Sequence, residues 1–412
     1  MKMTNRVVEI TKGIEKVISS LKMVGTELVP LENALGRILA KDLYAKYPLP
    51  NFDNSAMDGY GVSIIDVGKK VKIWKRVLAG DSVGDEVLPM GTCIKIMTGA
   101  KVPNGVNSII PFEDVEESGD DWIQIPNSVK PNNHIRKMGE DISVGEKIVE
   151  KGEKLSAYSL GLFASQGISF IEVFRKPRVV VFATGKELKM HFENIEPHQI
   201  YNTNSPMILD RSREFGAEIS LFRISGDSKV EIKKAIKNSL SYDLIVTSGG
   251  VSVGEADFTH ESFSEMGMET IFSGVHIKPG KPTTFGKIGD VAVLNLPGNP
   301  SAGLINFEIF GRIAISQISG IRAKHIGIVE CEILENLKVK SGKNTVVLGY
   351  FDGSVFKPLK KRSPGMVKPL HEANGFIILD KSVSEIKSGS FVRFISTKFD
   401  WSSEFQKELL TY

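Results

Sequence analysis

Uninterrupted apolar runs in the middle of the chain constrain its fold more than any other feature. They span residues 178–183, 243–247 and 291–296. Helical spacing of apolar residues covers 206–215, 228–239 and 300–316. A strand that is apolar on both faces is buried on both faces, and strands separated by helices pair in parallel. The sequence therefore predicts an α/β domain whose parallel sheet is covered by helices on two sides.

The segments on either side of this domain have different patterns. Residues 1–44 and 156–166 show helical spacing of apolar residues, with Ser156 a suitable N-cap. The predicted helix at 156–166 could pack on the N-terminal helices, which would make the first domain discontinuous. Short strands and turns predominate at about 48–140 and again at 328–412. We therefore expect β-rich segments both before and after the α/β domain.

Length, charge and cysteine content narrow the class of protein. A chain of 412 residues is long enough for several domains. Its 52 basic and 49 acidic residues give a net charge of +3, which provides no electrostatic basis for binding duplex nucleic acid. It has two isolated cysteines and no apolar stretch of about 20 residues. These features predict a soluble, cytoplasmic protein with neither a nucleic-acid nor a membrane partner.

Each predicted strand of the sheet ends in a distinctive loop, and open parallel sheets bind ligands at the carboxyl ends of their strands. The candidates are Thr184, Gly185 and Glu187 in the first loop, Ser248, Gly249, Gly250 and Ser252 in the second, and Pro297, Gly298, Asn299 and Ser301 in the third. Glycines let backbone amides approach an anion, hydroxyls add donors, and Asn299 opens a helix whose N-terminus attracts anions. Turns with incidental glycines and simple helix capping are the alternatives.

Charged residues in turns complete the set of candidates. Lys278 and Lys281 lie in the segment KPGKP and could bind phosphate or another oxyanion, or could face solvent in an exposed turn. Carboxylates in turns suit Mg²⁺, which takes oxygen ligands and keeps phosphate oxygens in its shell. Those considered are Asp58, Asp141, Glu187, Asp227 and Asp257. An isolated aspartate in a turn more often forms a cap, so a metal site requires that these residues converge.

Short motifs spread in order over nearly the whole chain form a specific set. They are NSAMDGY at 54–60, IMTGAKVP at 96–103, IRKMGEDI at 135–142, ATGKEL at 183–188, YNTNS at 201–205, TSGGVSVGEAD at 247–257, KPGKP at 278–282 and PGNPS at 297–301. Together they resemble the motifs of the MoeA and gephyrin E-domain family. The glycine-rich loops alone are shared with MogA-like adenylyltransferases and with CinA proteins, whereas the SAMDGY and GEDI segments point to MoeA.

The resemblance implies a multidomain α+β and α/β architecture in an elongated, L-shaped subunit that works as a homodimer. The expected domains are a discontinuous N-terminal linker domain (1–46 plus 140–174), an inserted β-rich domain carrying SAMDGY (47–139), a central MogA-like α/β domain with a parallel sheet (175–326), and a small C-terminal β domain similar to a barrel (327–412). The active-site cleft would lie between the α/β domain of one subunit and the β-rich domain of the other.

The resemblance also implies the activity of a molybdopterin molybdenumtransferase, an enzyme of molybdenum cofactor biosynthesis. Such an enzyme inserts its substrate molybdate into adenylylated molybdopterin and releases AMP with the help of Mg²⁺. The chain could also contact the adenylyltransferase that produces the adenylylated substrate. Two alternatives stay open: the preceding adenylation step itself, and a non-catalytic scaffold of the gephyrin type.

Site residues are carried over by their position in the motifs. Asp58, Thr98 and Asp141 would come from the β-rich side of the cleft. The expected catalytic residues are Asp58, Glu187, Asp227, Asp257 and Lys278, of which Glu187, Asp227 and Asp257 would hold the metal. The expected substrate-binding residues are Thr98, Asp141, Thr184, Gly185, Asn204, Ser248, Gly249, Gly250, Ser252, Lys281, Pro297, Gly298, Asn299 and Ser301.

The chain also departs from the family pattern. Lys186 stands where Asp or Ser is common, and Asn107 replaces a common Asp. In the last domain, residues 362–368 match the family pattern only loosely, with Lys368 where a small hydroxyl residue is usual. The contribution of the last domain to the site is therefore left open.

Overall fold

The central unit of the protein is a mixed sheet of six strands. The structure is a computed structural model that describes residues 7–115, 118, 120–222, 228–249 and 258–398. The spatial order of the strands is Glu218–Leu221, Arg178–Ala183, Leu244–Ser248, Val291–Leu296, Thr284–Ile288 and Glu269–Ser273. The first four strands pair in parallel, whereas Thr284–Ile288 runs antiparallel to both of its neighbours, Val291–Leu296 and Glu269–Ser273. The predicted parallel sheet is confirmed, with an antiparallel edge added to it.

Helices cover both faces of this sheet, as the apolar strands require. Alternate residues of strand Arg178–Ala183 belong to two separate hydrophobic clusters. Val179 and Val181 lie in one cluster, and Val180 and Phe182 lie in the other. The helices are Asn204–Glu214, Lys229–Ser239, Phe258–Glu265 and a long one in which a π-helical turn, Phe307–Gly311, joins Pro300–Asn306 to Arg312–Ile318. The three central strands, Arg178–Ala183, Leu244–Ser248 and Val291–Leu296, are thus buried on both sides, which explains why their sequences are apolar without alternation.

The first helix of the chain, Ile10–Ser20, also packs on the α/β core. Its Val17 belongs to the same cluster as Phe307 and Phe310. A Cβ atom on Gly13 would lie 2.9 Å from the Phe310 ring, so the close approach of the two helices depends on this glycine. The sequence-based boundaries group this helix with the N-terminal domain, but its packing partners lie in the α/β domain.

The remaining N-terminal residues form a small domain with the segment that follows the inserted domain. Strand Phe170–Phe174 lies between Thr26–Pro30 and Ile38–Leu39, and Leu43–Tyr44 pairs with Lys147–Val149. Helix Ala157–Ser165 has the predicted N-cap, because the Ser156 hydroxyl accepts from the Ser159 amide. The prediction of helix throughout residues 1–44 is wrong beyond residue 20. Leu31 lies in the 3₁₀ turn Leu31–Asn33 and Leu35 lies in a turn, whereas Ile38 and Leu39 form a strand whose partner is more than 100 residues away in the chain.

The inserted segment between these halves is rich in strands, as predicted. Its sheet has the spatial order Ser108–Pro111, Gly59–Val62, Thr92–Ile96, Lys70–Val77 and Trp122–Gln124. Strands Asn54–Ser55 and Ile135–Arg136 pair separately, and 3₁₀ turns span Ile64–Asp66 and Phe112–Asp114. The buried thiol of Cys93 has a pKa raised to about 12 by its burial, so it packs as an apolar group.

The last described segment forms a closed barrel, which confirms the predicted barrel-like domain. Its strand order is Val329–Ile333, Val355–Pro358, Thr345–Phe351, Gly375–Leu379 and Phe391–Ser396. The pair Leu337–Lys338 and Glu385–Ile386 and the short helix Lys368–Glu372 lie outside the barrel. Val346, Leu348 and Phe376 extend the α/β core into the barrel wall. No helix in the described part of the chain is long and apolar enough to cross a membrane.

Candidate functional site

The loops that follow the three predicted strands meet at the carboxyl edge of the sheet. The Thr184 amide donates to the Ser248 carbonyl at 3.2 Å, and the Gly249 amide donates to the Leu296 carbonyl at 3.1 Å. A Cβ on Gly249 would lie 2.7 Å from the Thr184 carbonyl oxygen, and a Cβ on Gly298 would lie 3.4 Å from the Gly249 Cα. Gly249 also has a φ of +93°, so only glycine fits this close approach of backbones.

Asn204 ties two of these loops together from a neighbouring helix. Its side-chain amide donates to the Ser248 hydroxyl at 2.7 Å and to the Gly298 carbonyl at 2.8 Å. Asn204 is the first residue of helix Asn204–Glu214 and is buried. Asn202 fixes the approach to this helix, because its side-chain oxygen accepts from the Ser205 amide at 3.0 Å and its side-chain nitrogen donates to the Ser205 hydroxyl at 2.9 Å. The YNTNS segment therefore holds Ser248 and Gly298, at two neighbouring strand ends, in a fixed relation.

The third loop is completed by the last domain. Ser301 donates two hydrogen bonds to the last domain. Its amide donates to the Pro364 carbonyl at 3.0 Å, and its hydroxyl donates to the Met366 carbonyl at 2.8 Å. Asn299 occupies the predicted N-cap position but makes no capping hydrogen bond with its side chain, which is exposed. Residues 362–368, which match the family pattern only loosely, therefore form one wall beside Asn299 and Ser301.

The KPGKP loop lies alongside the helix that the third loop opens. Its Lys278 amide donates to the Asn344 carbonyl, and the Lys278 carbonyl accepts from the Val346 amide, both at 2.8 Å. A Cβ on Gly280 would lie 1.7 Å from the side-chain nitrogen of Asn306, which donates to the Pro279 carbonyl at 3.4 Å. Asn306 lies six positions after Pro300, or about 9 Å further along the helix. Lys278 and Lys281 are exposed and pair with no carboxylate in the described ranges.

Glu187 is the one proposed metal ligand whose position the structure describes. Its carboxylate lies over Gly185, where a Cβ would be 2.7 Å from the Glu187 Oε1, and its carbonyl accepts from the Ile200 amide at 2.8 Å. The short parallel pair Leu188–Lys189 and Ile200–Tyr201 follows it. Asp227, Gly250, Ser252 and Asp257 lie outside the described residues. Among those described, no group of three or more His, Cys, Asp or Glu side chains is arranged to hold a metal ion.

Of the residues predicted on the β-rich side, Asp58 and Thr98 lie together in turns of the inserted domain, and Asp141 lies just after that domain. Asp58 is exposed, and its Oδ1 accepts from the Thr98 amide at 2.7 Å and from the Thr98 hydroxyl at 2.8 Å. These hydrogen bonds lower the pKa of the Asp58 carboxyl, and the bond from the Thr98 amide has the larger effect. Asp141 is also exposed, and its amide donates to the Leu49 carbonyl at 3.0 Å.

Asp53 was missed by the sequence reasoning although it joins two of the motifs. Its Oδ1 accepts from the Met138 amide and its Oδ2 accepts from the Lys137 ammonium, both at 2.8 Å. It therefore holds the GEDI segment beside SAMDGY. Its place one residue before the NSAMDGY match was the only available signal.

The inserted domain and the α/β and barrel domains make no direct polar contact in the described part of one subunit. No hydrogen bond or ion pair joins residues 47–139 to residues 178–398 there, so Asp58 is not linked to the strand-end loops by such contacts within one chain.

Comparison with known protein families gives two matches along the chain. Residues 8–167 match the family described as "MoeA N-terminal region (domain I and II)". Residues 180–317 match the family described as "Probable molybdopterin binding domain". The first match contains Asp58, Thr98 and Asp141, and the second contains the strand-end loops and the KPGKP loop.

Individual relatives are similar over nearly the full chain. A molybdopterin molybdenumtransferase of Haemophilus influenzae is 32% identical over 89% of this chain and 93% of its own length. One of Staphylococcus epidermidis is 29% identical over 98% of both chains. Among solved structures, the molybdopterin biosynthesis MoeA protein of Pyrococcus horikoshii has a TM-score of 0.81 and 31% identity, with 95% of this chain and all of that chain covered.

Proposed function

Because this chain belongs to the MoeA family of molybdopterin molybdenumtransferases, we propose that it acts in molybdenum cofactor biosynthesis as the transferase that inserts molybdate into adenylylated molybdopterin and releases AMP. The observation that carries the proposal is the link that Asn204 makes between Ser248 and Gly298. It fixes backbone donors and hydroxyls of neighbouring strand ends around one edge of the sheet, where a phosphoanhydride needs donors that are already in place.

Lys278 and Lys281 supply the positive charge that the reaction requires. Cleavage of a phosphoanhydride is mainly a matter of positioning and of neutralising charge on the phosphate oxygens. Both ammonium groups are exposed and unpaired within the described residues, so neither must leave a carboxylate to meet the substrate. The backbone of Lys278 is bonded on both sides to the barrel domain, which fixes the direction of the loop.

Mg²⁺ would fit the donors of the first strand-end loop. Magnesium sites commonly use one or two protein carboxylates together with phosphate oxygens of the substrate. The exposed Glu187 carboxylate offers one such ligand beside Gly185, and we propose Asp227 and Asp257 as the others. When bound, the ion would neutralise the charge that develops on the departing phosphate.

A second subunit would complete the site in this proposal. Asp58 and Thr98 lie on the inserted domain, and Asp141 lies just after it. The inserted domain shares no hydrogen bond or ion pair with the described strand-end loops of its own chain. Asp58 Oδ1 is occupied by Thr98, whereas Oδ2 has no donor among the described residues and can accept from a substrate group. A homodimer that placed this edge over the partner's loops would give the substrate a carboxylate on one side and lysines on the other.

The test is AMP release from preformed adenylylated molybdopterin, with molybdate and Mg²⁺ but without ATP. Asn204→Ala would leave the Gly298 carbonyl without its donor, and we expect KM for the adenylylated substrate to rise about tenfold. Ser212→Ala is the matched control, because it removes a buried hydroxyl from the same helix, where Ser212 donates to the Ile208 carbonyl at 2.7 Å. An unchanged KM in Asn204→Ala, or product formation only with ATP, would refute the proposal.

A further inference from the structure

A basic cavity lies at the edge of the six-stranded sheet that is opposite the strand-end loops. Its volume is about 300 Å³. Pro177 lines it immediately before strand Arg178–Ala183, and Arg175 lines it while binding Asp243, which immediately precedes strand Leu244–Ser248. Both strands run from this edge towards the candidate active site. The cavity is therefore separate from the loops that carry Lys278 and Lys281.

The walls of this cavity come from segments where the chain passes between domains. Phe174 and Lys176 belong to the passage from the N-terminal domain into the α/β domain. Ile321 and Lys324 belong to the passage from the α/β domain into the barrel domain. The backbone amide of Arg322 donates to the Gly152 carbonyl at 2.8 Å, so the second passage already contacts the N-terminal domain. A ligand here would contact both connections at once.

The carboxylates around the cavity are already engaged by arginines. Asp243 accepts from Arg175 through both oxygens at 2.7 Å. Glu214, the one acidic side chain of the lining, pairs with Arg211, which also binds Glu308. Asp243, Glu214 and Glu308 therefore already have arginine partners, and Arg37 of the lining pairs with Glu27.

Lysines remain without a carboxylate at the same place. Lys154, Lys176 and Lys324 all line the cavity, and none forms an ion pair within the described ranges. The ammonium group of Lys324 donates only to the neutral side chain of Gln317, at 2.9 Å. The Arg312 guanidinium, also in the lining, has a pKa lowered by its burial and further by the neighbouring Arg211, although Glu308 acts in the opposite direction. The cavity thus holds an excess of positive charge.

We propose that this cavity binds a small organic phosphate of about mononucleotide size, with its phosphate at Lys154, Lys176 and Lys324 and its apolar part against Phe174 and Phe215. The volume of about 300 Å³ is at the lower end of the range for ligand sites and suits such a molecule. Phe215 and Ile321 give the lining the apolar surface that inorganic phosphate alone would not use. Because the ligand bridges both interdomain passages, its binding holds the N-terminal and barrel domains in fixed orientation relative to the α/β domain.

The experiment uses the full chain carrying Lys278→Gln and Lys281→Gln, so that binding at the candidate active site is weakened. AMP and inorganic phosphate are titrated by calorimetry, and hydrogen exchange is followed at residues 174–177 and 321–325. We expect AMP to bind more tightly than phosphate and to slow exchange at both segments. Adding Lys154→Gln and Lys176→Gln, two exposed substitutions, is expected to weaken AMP binding at least tenfold and to remove the protection.

The outcomes separate this cavity from the candidate active site. Absence of AMP binding in Lys278→Gln/Lys281→Gln, or AMP binding there that the added Lys154→Gln/Lys176→Gln leaves unchanged, would overturn the proposal and leave the proposed function intact. Equal binding of AMP and phosphate would overturn the assignment to an organic phosphate. Absence of protection at either interdomain segment would overturn the bridging role.

Discussion

Asp58 accepts two hydrogen bonds from Thr98 on the same oxygen, one from the backbone amide at 2.7 Å and one from the hydroxyl at 2.8 Å. The two donors stabilise the ionised carboxylate and lower its pKa, so this exposed group keeps its charge to a more acidic pH than an ordinary aspartate does. Because both bonds go to Oδ1, they fix the orientation of Oδ2. An exposed carboxylate that is held in one orientation by its own domain is prepared for a partner outside that domain.

Asp58→Asn should abolish most activity without unfolding the protein. Asparagine keeps the shape and can still accept from Thr98, but the negative charge is lost, and we expect AMP release to fall by about a hundredfold or more. Since the site is exposed, the free energy of unfolding should change by no more than about 0.5 kcal/mol. Asp81→Asn is the control, because Asp81 is an exposed aspartate of the same domain whose Oδ2 accepts from the Leu78 amide at 2.8 Å. Equal activity in the two variants would contradict the role of Asp58.

Thr98→Val should move the acidic limb of the pH–activity profile to higher pH. The substitution removes the hydroxyl donor and keeps the amide, so the pKa of Asp58 rises towards its usual value. The carboxylate then becomes protonated at a higher pH, and activity that requires its charge is lost earlier on acidification. Thr98→Ser, which retains the hydroxyl, should behave like the natural protein. Identical acidic limbs in the Val and Ser variants would exclude this link.

The sequence predicted most of the α/β domain because its strands are locally recognisable. Arg178–Ala183 and Val291–Leu296 appear as apolar runs with the bounds that the structure shows. Their loops carry motifs at the one edge where parallel strands must end, so the sequence alone predicts that Thr184, Ser248 and Gly298 lie together. The antiparallel edge, Glu269–Ser273 with Thr284–Ile288, was not predicted, since neither strand is a continuous apolar run.

Contacts distant in sequence explain what could not be predicted. Leu31, Leu35, Ile38 and Leu39 have helical spacing, but Ile38 and Leu39 pair with Phe174 and Val173 in a strand, a partner that periodicity cannot reveal. The link from Asn204 to Ser248 and Gly298 depends on a side chain reaching across 44 and 94 residues. The wall that residues 364–366 form beside Ser301 has no counterpart in local pattern either.

Mixed dimers should test whether two subunits share the site. A heterodimer with Asp58→Asn in one chain and Lys278→Ala in the other would contain one fully intact composite site and one doubly altered site. We expect about half of the natural activity from purified heterodimers, because a closed twofold dimer has two equivalent sites. Each altered homodimer should be nearly inactive. Heterodimers as inactive as the homodimers would show that Asp58 and Lys278 act within one chain or not at all.

Gly280→Ala should disable the KPGKP loop through a collision rather than through strain alone. Gly280 has a φ of +108°, and a Cβ there would lie 1.7 Å from the Asn306 side-chain nitrogen, so the loop must move away from the helix. Gly289→Ala is the matched control, since Gly289 has a φ of +59° with no atom within 4 Å of the added Cβ. Both variants should lose about 1–2 kcal/mol of stability from the unfavourable φ. Only Gly280→Ala should also raise KM, because the loop carries Lys278 and Lys281.

The collision at Gly280 can be relieved by a second substitution. In Gly280→Ala/Asn306→Ala the clashing amide is gone, so KM should recover towards that of the single Asn306→Ala variant, even though the strain from φ persists. Such recovery would be non-additive, as expected for two residues in direct contact. If KM in the double variant instead equalled the product of the two single effects, the loop would be displaced by its backbone conformation, and contact with Asn306 would not be what positions the lysines.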